Sequence, residues 1–182
     1  RFLEQYRSHG IIHFATHALT NDQDPLSSFI AFYPDGQEYR LFTDELYDLD
    51  LTDAKLVVLS ACETGRGQLR KGEGVMSLAR AFSYAGATTV TTTLWNANDE
   101  TTAYISTQFH EYINNGMQLD EALQQAKLDF LSSSLARQYD HPYYWANMVL
   151  IGSSNAIETG YSVWWWVGIS LLLGWGIWRL KK

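Results

Sequence analysis

The chain has 182 residues, 46% of them hydrophobic and 14% aromatic, enough apolar material for one full core and too much for a disordered chain. Its formal net charge is −7, and all 20 acidic residues lie within 1–160, which excludes a phosphate-backbone binder built on clustered Lys and Arg. No nucleic-acid partner is expected, and a single cysteine, Cys62, rules out an internal disulfide framework or a multi-cysteine metal centre.

The chain opens on Arg1 rather than Met and is read as the C-terminal piece of a longer protein. Residues 10–18 (GIIHFATHA) form a short apolar run that predicts a buried strand. Residues 28–34 and 38–42 flank Asp35-Gly36, the pattern of a hairpin with a tight turn. Thr43 is placed to cap a short helix running through Leu49. Residues 55–61 (KLVVLSA) are the clearest strand, an unbroken Val/Leu run of the kind covered on both faces. Val75, Leu78, Ala79 and Phe82 follow helical spacing, with Gly86 where a C-terminal cap belongs. The Thr/Val-rich residues 88–95 predict the next strand.

A helix then starts at Asp99 or Thr101, shares Tyr104, Ile105, Phe109, Tyr112 and Ile113 on one face, and ends at Asn115-Gly116. Residues 120–131 predict another helix and 145–151 a last strand. Strand–helix alternation of this kind gives an α/β domain over 1–152, a mostly parallel sheet with helices on both faces.

Residues 153–160 read as a linker into 161–178 (YSVWWWVGISLLLGWGIW), a stretch without charge. As a helix it would reach about 27 Å, the thickness of a hydrocarbon core. Trp164, Trp165 and Trp166 stand near one end and Trp175 and Trp178 near the other, as in an aromatic belt. The expectation is a single-pass membrane anchor, with a buried C-terminal helix as the alternative. Arg179, Lys181 and Lys182 form a basic tail over 179–182, which by charge bias faces the cytoplasm and leaves the body outside. A tail-anchoring route would instead leave the body cytosolic, so the side stays open.

In open parallel sheets, ligands bind beyond the carboxyl ends of the strands. His17 ends the first strand run and Cys62 directly follows 55–61. If those strands are neighbours, their backbones lie roughly 5 Å apart and both side chains open on one rim. An imidazole there can hold the thiol as thiolate, the attacking species. The backbone N–H groups of Ala18 and Cys62, expected in loops rather than ladders, are candidate oxyanion donors. Against this, a lone Cys is often a small buried hydrophobe and a lone His often structural. His13 and His17 would chelate a metal on a helix, but on a strand they stand about 13 Å apart. No metal is therefore assigned, and His13 is read as a packed or hydrogen-bonded core residue. The glycine-rich residues 63–74 (ETGRGQLRKGEG) match neither dinucleotide nor P-loop spacing, so no cofactor is implied. An open loop that admits an extended peptide fits them equally well.

HFATHA at 13–18, SACETGRG at 60–67, KGEGVMSLARAFSYAGA at 71–87, TLWNANDETT at 93–102 and HPYYWANMVLIG at 141–152 together resemble the CHAT family. These are caspase-like cysteine peptidase domains often found behind tetratricopeptide repeats in bacteria, and the likeness covers most of 9–152. It implies a caspase-hemoglobinase-like fold, a His/Cys dyad of His17 and Cys62, and a protein or peptide substrate. It also implies an upstream repeat or sensor domain. Many relatives carry Gly after the dyad histidine, where this chain has Ala18. Relatives of similar fold accept a basic residue before the scissile bond (separases, gingipains) or an acidic one (caspases). Asp99, beyond the strand ending near Trp95, is a candidate to receive Arg or Lys and equally a helix N-cap; Glu63 is a second candidate. The expectation is a membrane-anchored cysteine endopeptidase, and the alternative is a catalytically idle signalling or interaction module of the same fold.

Overall fold

The computed structural model describes residues 2–21, 24–33, 38–60, 73–95 and 98–157. Among the described residues four strands make the main sheet: β1 (Ile11–Phe14), β5 (Leu56–Leu59), β6 (Thr89–Thr93) and β7 (Met148–Gly152), side by side in that order. β1, β5 and β6 run parallel, and β7 closes the edge antiparallel to β6. A second, antiparallel sheet holds β2 (Ala18–Leu19), β3 (Phe29–Phe32) and β4 (Tyr39–Phe42).

Every residue of β5 and β6 is buried, as the unbroken apolar and β-branched runs require of strands covered on both sides. On one side Val57, Leu59 and Val90 pack with Leu78, Ala79 and Phe82 of α3 (Glu73–Tyr84). On the other, Leu56 and Val58 pack with Ile105 and Phe109 of α4 (Asp99–Asn114) and Phe130 of α5 (Leu119–Ser132). The strand period of two sorts neighbours into opposite cores. The mixed α/β architecture with helices on both faces is thus the one the alternation predicts, and it is consistent with a caspase-like fold.

Four local expectations need correction. The run 10–18 is not one strand: β1 stops at Phe14, and Ala18–Leu19 belongs to the second sheet. The break is a tertiary turn, in which the Thr16 hydroxyl donates to Ala31 O at 2.6 Å and the Ala31 N–H donates to His17 O at 2.8 Å. Thr43 does not cap α2 (Thr43–Tyr47) but is its first residue, its hydroxyl turned to Ser28 O at 3.0 Å. Instead the Glu45 carboxylate accepts the Phe42 N–H at 2.9 Å. The helix from Asp99 is capped by Asn98, whose side chain accepts the Thr101 N–H at 3.1 Å, so Asp99 is a first-turn acid and not the cap. The last strand starts at Met148 rather than 145, because a 3-10 turn (Pro142–Tyr144) occupies the approach.

The hairpin strands are as expected, while the turn at Asp35-Gly36 lies outside the described residues. So does the stretch 161–178. Among the described residues no helix is long and apolar enough to cross a membrane.

Candidate active site

β1 and β5 are neighbours in parallel register, from Ile11 opposite Leu56 to Phe14 opposite Leu59. The ladder runs one step further, with the Ser60 N–H donating to Phe14 O at 3.2 Å. His17 stands three residues past the end of β1, and Cys62 three past the end of β5. Cys62 and Glu63 lie outside the described residues, as do Gly65, Gly67 and Gly72. The chain leading to Cys62 therefore leaves the sheet beside the chain leading to His17, at the carboxyl ends where parallel sheets bind their ligands.

A cleft of about 770 Å³ opens there, lined among others by His13, His17, Tyr33, Ser60, Asp99 and His110. Its polar wall follows from strand alternation. Ile11, Leu56 and Val58 face the core under α4 and α5, and the next positions on that face are His13 and Ser60. α4 supplies the adjoining wall through Asp99, Thr102, Ser106 and His110, spaced by three or four residues as one helical face.

His17 is exposed, its ring meeting Tyr33 edge-on at 6.3 Å between centroids. Its backbone is fixed to the second sheet by the bond from Ala31. Ala18 is buried and pairs with Ile30 as the first residue of β2, a ladder position rather than the loop expected from the sequence. β2 is an edge strand, which turns part of its N–H groups outward from the sheet. Asp99 is exposed on the cleft wall.

His13 departs from expectation. It is hydrogen-bonded, as expected, but it faces the cleft instead of the core. Its Nε2 lies 2.7 Å from Ser60 Oγ and its Nδ1 3.1 Å from His110 Nε2, with the two rings 5.0 Å apart. Loss of hydration pushes both histidines below the ordinary imidazole range, and the neighbouring charge of His110 adds to the effect at His13. Sequence reading missed Ser60 and His110. The signal for His110 was the i, i+4, i+8 polar stripe Thr102, Ser106, His110 beside the apolar face of the same helix.

Residues 1–153 match the family of CHAT domains. The chain is 34% identical over 126 residues to Tetratricopeptide repeat protein 28 of Mus musculus, and equally to that of Homo sapiens. In both cases the match covers 69% of this chain and 5% of the relative, so the chain corresponds to a small part of those proteins.

Proposed function

The chain belongs to the CHAT domain family, and on that premise we propose that it is a cysteine endopeptidase that hydrolyses peptide bonds with His17 and Cys62. The carrying observation is the parallel β1–β5 pair, which starts both chain segments from one rim above one cleft. In this reading His17 holds Cys62 as thiolate, and Sγ attacks the scissile carbonyl carbon. The tetrahedral oxyanion is met by the backbone N–H of Cys62 and by that of Ala18 at the open edge of β2. Collapse breaks the C–N bond, and the imidazolium of His17 gives its proton to the leaving amine. His17 then takes a proton from water, whose oxygen attacks the thioester; the C–S bond breaks and the thiolate returns.

The Asp99 carboxylate, exposed on the cleft wall, is proposed to receive an Arg or Lys side chain before the cut, with Glu63 as a second acid beside the nucleophile. The residues 161–178 are proposed to anchor the domain in a membrane; the charge bias of the basic tail supports a body outside the cytoplasm, and a tail-anchoring route a cytosolic one. The relatives are named for tetratricopeptide repeats, which supports a repeat domain as the upstream partner here.

The relatives' name is not that of a peptidase, and this favours a second reading, an interaction module with the dyad idle. Labelling by a thiol-directed activity probe separates the two. The wild type should label, Cys62→Ala should not, and His17→Ala should label about 10²- to 10⁴-fold more slowly. Equal labelling of wild type and Cys62→Ala sinks the peptidase. A peptide library cut without preference for Arg or Lys removes the role given to Asp99.

A further inference from the structure

We propose that His13 is a positioning residue: bonded through one ring nitrogen to Ser60 and through the other to His110, it fixes the point from which the chain runs to Cys62. The proposal rests on the peptidase reading for its kinetic consequence alone.

Ser60 is two residues before Cys62 and one past the end of β5. Its ties to the sheet are backbone N–H to Phe14 O at 3.2 Å and a long hydroxyl contact to the same oxygen at 3.4 Å. The bond to His13 Nε2, at 2.7 Å, is the short one. An imidazole held at one nitrogen alone can still swing about its side-chain bonds. The second bond, to His110 Nε2 at 3.1 Å, closes that freedom and ties β1, β5 and α4 together at one ring. Packing does not account for the choice of residue. The same strand face carries Ile11, Leu56 and Val58 one step deeper, and an aliphatic side chain at position 13 would continue that pattern.

The bonding has a direction. A neutral imidazole offers one donor and one acceptor. Across the His13–His110 contact one nitrogen must donate and the other accept, so the chain of three tolerates one added proton. A second puts N–H against N–H and opens it. Among the described residues, the other titratable groups lining the cleft are His17 from the turn after β1, Tyr33 from the end of β3, and Asp99 from α4.

The test compares the full chain with His13→Ala, His13→Gln and Ser60→Ala by hydrogen–deuterium exchange and by kinetics. Amides 59 and 60 should exchange about five- to tenfold faster in His13→Ala and in Ser60→Ala, while those of β6 stay unchanged. His13→Gln, whose amide can still reach Ser60, should restore most of the protection. For an active wild type, His13→Ala should lower kcat about 10- to 100-fold with KM within about twofold, as a displaced nucleophile does. On acidification kcat should fall less steeply in His13→Ala than in wild type, because the two-proton opening is gone. Exchange at 59 and 60 within about twofold of wild type in both His13→Ala and Ser60→Ala overturns the proposal, whatever the kinetics. Faster exchange in the two variants, together with a wild type that shows no Cys62-dependent cleavage, upholds the brace and sinks the peptidase reading alone.

Discussion

His13 and His110 share one N···N contact of 3.1 Å in the cleft wall, and partial burial favours their neutral forms. Free imidazole titrates near 6.5, and both groups titrate lower in the folded chain. Below 6.5 the unfolded chain therefore binds more protons than the folded one. The stability that depends on these two neutral rings is fully present above that value and is lost as pH falls through the folded values. Denaturant midpoints measured from pH 7 down to pH 5 should decline, and the decline should be shallower in His110→Gln. An identical slope in that variant contradicts the assignment. His17 and Asp99 were legible as cleft residues because each closely follows a strand run. The His13–His110 pairing was not, because it joins residues 97 apart through tertiary packing that no local period encodes.

Among the elements, α3 ends as its sequence announces. The Gly86 N–H donates to Ser83 O at 3.1 Å and the Ala87 N–H to Phe82 O at 3.1 Å, the paired bonds of a Schellman cap. Gly86 has φ +108, and a Cβ there would sit 2.9 Å from Thr52 N, a backbone atom that cannot swing aside. Gly86→Ala should therefore cost about 1–3 kcal/mol, read as a lower urea midpoint with an unchanged slope. No loss of stability would mean that the cap relaxes into another form. Punctuation by glycine could be read directly because it is a property of one residue's backbone. The end of β1 could not. Ala15, Thr16 and His17 carry no turn signature, and the chain leaves the strand there because Thr16 and His17 bond to Ala31 in another element. The cap of α4 was misplaced by one residue for a related reason, since Asn98 and Asp99 both suit the role and only the geometry at Thr101 decides.

For the molecule as a whole, the sheet order and the helices on both faces follow from the apolar strand runs and amphipathic helices, the strongest patterns in the chain. The separate small sheet was harder to foresee, because a two-residue strand such as β2 is too short to show any period. The uncharged residues 161–178 carry a prediction at this scale. The full chain should stay with membranes through alkaline carbonate washing, and a chain ending at Ile157 should be released. Release of the full chain would remove the anchor.

His17 is suspended from Ala31 in the small sheet, whereas residue 60, on the way to Cys62, is tied to Phe14 in the large one. The two halves of the proposed dyad are thus mounted on different frames, like two jaws of a vice. The two sheets share one core, through Ile30 and Leu41 on one side and Val57 and Leu59 on the other, and a core change that shifts one jaw by only about an ångström would slow the proposed chemistry about 100-fold. The spacing of the dyad would thus be set by packing some way from the cleft itself.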